Sequence, residues 1–341
     1  MSLSSPSRRR PRRLVAPALV LSLAGALTAC GGGSSADDSA SSSDASAKAS
    51  AGAFPAEVAT KFGTVTVDEQ PKRVVALGWG DAETALALGV QPVGQSDWLA
   101  FGGDGVGPWA EGEYDKSPQK IGTLEPEYEK IAALKPDLIL DTKSSGDRTR
   151  YDTLSKIAPT IGVPKGGEQY KIGWKKQTEM ISQALGLADK GEKLIADTEA
   201  EFTAAAKEHP EFKGKTITVG SRTSNGWGAY VRGTDRVGFV EQLGFENNPK
   251  VEAEAGEGFS VTVSEENLQM LDADLVVMAP IGIDAARISG DALYKSLPAV
   301  KAGHDIVFTD KNISTAFATN SVQSVGYALD KVVPMFADAL K

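Results

Sequence analysis

Five side chains suited to gripping a ring-bearing or anionic ligand crowd into residues 221–236: Arg222, Trp227, Tyr230, Arg232 and Arg236. Arginine offers planar N–H donors and stacks on rings, while Trp and Tyr cover apolar surface and keep one polar edge. In an otherwise acidic chain this mixture suits a metal chelate that carries rings or negative charge. Arg222 and Tyr230 are the first candidates for contact, whereas Arg232 and Arg236 serve equally well in surface ion pairs. Arg148 and Arg287 follow later strands and are secondary candidates. Trp79, Trp98 and Trp109 lie in glycine-rich stretches of the first half, as able to cover a core rim as to touch a ligand.

Other chemistries find little support. A free metal ion needs clustered His, Asp or Glu ligands, and the chain has only His209 and His304, far apart. His209 reads as a cation at a helix end and His304 as a loop residue. No GxSxG elbow and no HExxH pair is present. The glycines of residues 103–107 lack the strand-then-helix setting that a dinucleotide fingerprint requires. The residues point to binding rather than turnover: no enzyme, no metal held directly by side chains, no cofactor.

The single cysteine, Cys30, has a different use. Arg8, Arg9, Arg10, Arg12 and Arg13 precede an apolar run over residues 14–27, too short for a comfortable span of about 20 residues. That run ends in Leu27-Thr28-Ala29-Cys30-Gly31, which resembles a bacterial lipobox, a small-residue cleavage site before a thiol that takes diacylglycerol. Residues 31–53 are rich in Gly, Ser and Ala and read as a flexible tether. Residues 1–30 hold five Arg and no acid, so their removal takes the formal charge from −9 to −9 − 5 = −14. Such a body disfavours nucleic acid and any basic-face adhesion to anionic lipid. The paired arginines also hint at twin-arginine export.

These side chains need a frame, and strand and helix signals alternate through both halves of the body. In the first half, strand signals fall at residues 62–67, 73–77, 91–95, 137–140 and 160–163, and helix signals at 81–88, 127–134 and 150–157. Asp81 reads as an N-cap, with Glu83 in the first turn. Residues 187–209 carry a helical period interrupted only by Gly191 and ended by Pro210. A helix of that length runs about 33 Å. Beyond it strand signals at 216–220, 229–231, 274–279 and 305–309 mix with helices from 235, around 292–297 and over 321–340, with residues 221–227 between the first two strands. The expected architecture is α/β: two Rossmann-like lobes with mostly parallel sheets, residues 54–186 and 210–341, joined by one long rigid helix at 187–209.

One stretch repeats across that helix. Residues 129–140 read EKIAALKPDLIL and residues 266–277 read ENLQMLDADLVV, with Glu129/Glu266, Leu134/Leu271, Asp137/Asp274 and Leu138/Leu275 identical. Each copy reads as a helix with an early Glu, a tight turn and a buried strand, so the lobes are expected to share a fold.

The RVVAL strand, the Ala87-Leu88-Gly89 helix end, the YEKIAALKPDLIL block, the long linking helix and the closing NSVQSVGYALDKVVP segment together resemble the helical-backbone solute-binding proteins of ABC transporters. These serve ferric siderophores, haem and vitamin B12, and the likeness is nearest to actinobacterial iron–siderophore lipoproteins. The resemblance implies a lipid-anchored monomer on the outer face of the cell membrane, capturing a ferric siderophore between its lobes. Iron would be held only through that siderophore. It further implies delivery to an ABC permease dimer with its ATPase, with Glu129 and Glu266 docking onto permease arginines. Haem or a cobalamin-like ligand is the alternative, an enzyme or adhesin a more distant one. Arginines suit a catecholate and tryptophans a hydroxamate; five Trp in an acidic body lean toward a hydroxamate or mixed chelate.

Overall fold

The computed structural model describes residues 53–97, 100–122, 124–167 and 170–341. Cys30 and Trp98 lie outside the described residues, as do the signal and nearly all of the tether.

The chain enters through an antiparallel hairpin, β1 (Ala56–Thr60) and β2 (Gly63–Val67), paired with itself rather than with a larger sheet. The first lobe is a parallel sheet of β3 (Val74–Ala76), β4 (Gly94–Ser96), β5 (Gln119–Ile121), β6 (Leu138–Leu140) and β7 (Thr160–Ile161), in the order β5-β4-β3-β6-β7. Val74–Ala76 and Leu138–Leu140 are buried throughout, the near-continuous apolar runs expected of strands covered on both faces. Their crossovers are α1 (Asp81–Ala87), α2 (Tyr128–Ala133) and α3 (Arg148–Leu154). Asp81 is not the N-cap of α1. That position is Gly80, in a left-handed conformation at φ 79°, and Asp81 is turned inward instead.

Two helices leave the lobe, α4 (Trp174–Ala184) and α5 (Ala188–Glu208). The linking helix buries Gly191, Ile195, Thr198 and Phe202, a three-and-four spacing that keeps one stripe inward. Gly191 is no interruption. A β-carbon there would stand 2.1 Å from Ser182 Oγ of α4, so glycine is what lets the two helices cross in contact. Phe202 then stacks on Trp174 and meets Phe239 edge-on at 5.2 Å, which ties the linker into the second core.

The second lobe carries a mixed sheet of β8 (Thr216–Thr223), β9 (Gly226–Tyr230), β10 (Glu246–Asn247), β11 (Ser260–Val263), β12 (Leu275–Pro280) and β13 (Asp305–Val307), in the order β11-β9-β8-β12-β13 with β10 beside β8. β12 runs parallel to β8 and β13, while β9 is antiparallel to β8 and β11. Residues 221–227 thus belong to the ends of β8 and β9 and the turn between them. They form a tight hairpin, in which Arg222 lies directly opposite Trp227. Around this sheet stand α6 (Asp235–Gln242), α7 (Pro249–Ala253), α8 (Ala286–Ser289), α9 (Pro298–Ala302), α10 (Lys311–Thr319) and α11 (Val322–Ala339). α11 opens with a capping box at Ser321 and Ser324, and packs on α1 of the first lobe as well as on α5 and α10.

The repeated segment has one structural meaning in both lobes. Asp137 accepts the backbone N–H groups of Lys72 and Arg73, both at 2.8 Å, just ahead of β3. Asp274 accepts Thr216 N–H at 2.7 Å and its hydroxyl at 2.8 Å, at the head of β8. Each Asp staples its own strand to the opening strand of its sheet. The copies differ N-terminal to the turn: the first is α2, whereas the second is a 3-10 turn over Glu265–Leu271.

Candidate ligand-binding cleft

Below the cleft lies a buried polar junction that sets the position of Trp79. Gly78 N–H donates to Asp81 Oδ2, and Trp79 N–H to the Lys143 carbonyl. The Trp79 carbonyl accepts from Gln177 Nε2 at 2.9 Å. A β-carbon on Gly78 would collide with the Asp81 carboxylate at 2.3 Å and with Lys143 N at 2.7 Å, so only glycine passes here. Asp81 also accepts from Thr142 N–H, the Thr142 hydroxyl and Gln177. Burial nonetheless pushes its carboxyl above the ordinary range.

Two contacts of this junction cross between the lobes. Lys143 Nζ, after β6, reaches Asp235 Oδ2 of α6 at 2.6 Å, with both side chains buried. Ser321 at the head of α11 donates to the Glu83 carboxylate of α1. Burial raises Glu83, and the Ser321 hydroxyl, the Trp109 indole and the Lys143 charge oppose the rise. Burial likewise raises Asp235, against the attraction of Lys143. Deeper in the first lobe Arg150 holds Asp141 through two bonds of 3.0 and 2.6 Å.

Above the junction opens a cleft of about 880 Å³, a size suited to one small-molecule ligand. The first lobe supplies Trp79, Ala100 and Leu124; the second supplies Tyr230, Arg236, Phe259, the 279–285 turn and residues 308–318. Rings run across it from lobe to lobe. Trp79 stacks on Tyr170 at 4.1 Å, Tyr170 meets Phe259 edge-on at 6.4 Å, Phe259 stacks with Tyr230 at 6.4 Å, and Arg236 lies 4.4 Å over Tyr230. Tyr170 holds a left-handed backbone, φ 63°, a conformation a bulky side chain adopts only under local compulsion.

Of the residues singled out by sequence, the cleft gathers Trp79, Tyr230 and Arg236. Trp109 sits behind it, meeting Phe101 edge-on and Tyr327 of α11 at 5.5 Å, and does not line the cavity. Arg222 and Trp227 are carried by the hairpin into a separate groove of about 390 Å³, shared with Arg287 and Glu265. There Arg222 stacks on Trp227 at 4.2 Å, pairs with Asp291 at 3.0 Å and donates to the Arg287 carbonyl. Trp227 is itself core, stacked on Tyr294. Arg232 pairs with Glu241 at 2.8 Å on the surface, and Arg148 with Asp152 at 2.9 Å. His209 faces Glu211 at 2.9 Å. Sequence reasoning passed over Tyr170, Phe259, Leu124, Ile281 and Lys311. A lone ring before a β-strand carries no periodic signal, but the glycine-rich flank of Phe259 at residues 256–258 marks an exposed edge.

The distribution of exposed apolar bulk singles out this cleft. Among the described residues the exposed large hydrophobics are Leu124, Phe259, Ile281 and Leu293. The first three line the cleft. The fourth lines a notch with Glu265, Glu266 and Gln269. Apolar surface left in water at one place marks a binding face. Among the described residues no group of three or more His, Cys, Asp or Glu side chains is placed to hold a metal ion.

The periplasmic binding protein family matches residues 74–312, both sheets and the linking helix between them. The chain belongs to that family. A probable siderophore-binding lipoprotein of Bacillus subtilis, YfiY, is similar to this periplasmic binding protein at 29% identity over 286 residues, covering 79% of this chain and 84% of its own. Among solved structures, PiaA of Streptococcus pneumoniae in complex with ferrichrome is 27% identical with a TM-score of 0.72, over 83% of this chain and 98% of that one. A periplasmic solute binding protein of Mycobacterium smegmatis is 28% identical with a TM-score of 0.70, over 84% and 99%. The α/β two-lobe architecture and the kinship with iron–siderophore binders of ABC transporters are thus shared with known proteins.

Proposed function

We propose that this chain is an extracytoplasmic, lipid-anchored solute-binding protein that takes a ferric siderophore into the interlobe cleft and delivers it to an ABC permease for iron uptake. The observation that carries this reading is the ring ladder from Trp79 to Tyr230 across both lobes, joined by the exposed Leu124 and Ile281. A chelate wrapped in its own organic ligand presents apolar faces and a few carbonyl oxygens, and such walls with one guanidinium receive it. Transport relatives favour binding over turnover.

Three further parts of the reading rest on placement. Glu129 and Glu266 are both exposed in the first turn of equivalent elements, away from the cleft, where permease arginines could meet them. Cys30 would carry the lipid; no helix among the described residues is long and apolar enough to cross a membrane. A monomer suffices, since both walls of the cleft come from one chain.

Uptake of radioiron-labelled ferric siderophore by cells lacking this chain tests the proposal. Uptake should fall and return with the wild-type chain. Unchanged uptake for every ferric chelate offered would end the reading.

A further inference from the structure

We infer that the cleft selects a ferric chelate of little net charge, a tris-hydroxamate, over anionic tris-catecholate or citrate chelates. The inference rests on the siderophore reading above and deepens it.

Charge placement carries the argument. Three arginines of residues 222–236 could have formed a cationic cage, and the fold disperses them. Arg222 is spent on Asp291 and Trp227, Arg232 on Glu241, and Arg236 alone reaches the cavity. Among the described residues the charged ones lining the cleft are Arg236, Lys311, Asp284 and Asp310. Their formal charges cancel. Both acids are fixed there by their backbone work: Asp284 accepts Ala286 N–H at 2.7 Å, and Asp310 caps α10 through Asn312 and Ile313 N–H. The pair beneath the floor, Lys143 and Asp235, is also balanced. Around this neutral pocket lies a body of formal charge −14 once residues 1–30 are removed, from −9 − 5.

Iron(III) with three hydroxamates is neutral, and a pendant amine makes it cationic. With three catecholates it is trianionic. A trianion entering this cleft would shed its hydration, meet two carboxylates and approach through a repulsive field, with no surplus cation to compensate. A neutral chelate needs only apolar walls and donors for its carbonyl oxygens. The stacked Arg236 guanidinium supplies those donors with its plane covered by Tyr230.

The test is tryptophan-quenching titration of the full-length protein in detergent with ferrichrome, ferrioxamine B, ferric enterobactin and ferric citrate, at low and high salt. The two hydroxamates should bind at least about tenfold more tightly than the other two, with Kd moving less than about threefold as salt rises. Asp284→Asn keeps the turn and removes one negative charge. It should shift the ratio of enterobactin to ferrichrome affinity toward enterobactin by about threefold or more. Tighter binding of enterobactin or citrate by the wild type, weakened by salt, would overturn the inference and leave the siderophore reading standing. An equal effect of Asp284→Asn on both chelates would also overturn it. Binding of haem or cobalamin and of no ferric chelate would overturn the siderophore reading itself, and this inference with it.

Discussion

Lys143 of the first lobe and Asp235 of the second meet at 2.6 Å with neither open to solvent, so the lobes share a buried ion pair directly under their cleft. Asp235 is held from its other side by Asn320, whose amide donates to the Asp235 carbonyl. Such a pair is worth little against a well-packed apolar replacement, yet breaking half of it strands a buried charge. Lys143→Met should therefore lower unfolding free energy by about 3–5 kcal/mol. Lys143→Met with Asp235→Leu should recover most of that loss, measured by urea denaturation. A double variant as unstable as the single would show that the pair does more than compensate charge.

The buried acids give the body a pH dependence of definite sign. Burial raises Asp81, Glu83, Asp141 and Asp235, so the folded state binds protons that the unfolded chain, titrating near about 4, has released. The contribution of these four to stability is greatest on the acid side of this window and declines as pH rises from about 4 through the raised values. Glu83→Gln keeps a polar group for Ser321 and removes one of the four. Its melting temperature relative to the wild type should rise as pH goes from about 5 to about 8. A variant whose melting curve shifts equally at both values would refute the assignment to Glu83.

Ring and arginine variants should separate the two grooves of the second lobe. Phe259→Ala removes a half-exposed ring that a ligand would cover, at a cost of about 1.5–3 kcal/mol, or about a tenfold to hundredfold rise in Kd. Arg222→Ala lies in the other groove and should leave Kd within about twofold. Equal losses in the two would mean that the ligand extends along the hairpin.

For docking, Glu129→Arg and Glu266→Arg should leave ligand affinity intact and lower uptake in cells. Both side chains are exposed and lie outside the cleft. Loss of affinity in the purified variants would place them in ligand binding or in the fold instead.

A single helix joins the lobes, and its Phe202 is locked between Trp174 and Phe239. Ligand addition should therefore change the radius of gyration by less than about 1 Å in small-angle scattering, with no hinge free to swing. A larger compaction would show that α5 bends.

The parts of this fold that sequence discloses are those with a period or a repeat. The α5 stripe and the Asp137/Asp274 echo were visible because each is local and each recurs. The site was harder. Arg222 and Arg236 are fourteen positions apart and look alike on paper, yet the Asn225-Gly226 turn holds the first at the end of an interior strand, between Trp227 and Pro280, while α6 aims the second into the cleft. That Asn-Gly signal was available. Tyr170 and Phe259 were not, because the contact they make with each other crosses between the lobes. Asp81 misled for a related reason: a residue that opens a helix next to a sheet can turn its carboxylate to a neighbouring strand end rather than to its own helix.

Glu83 and Ser321 are 238 positions apart and touch. The first helix of the body thus acquires its buried partner only from the last. A chain emerging from a ribosome cannot close this seam until Ser321 has arrived. Until then the first lobe carries an uncovered α1 face, and Glu83 lacks the Ser321 hydroxyl. Loop closure over that distance slows folding more than it weakens the product.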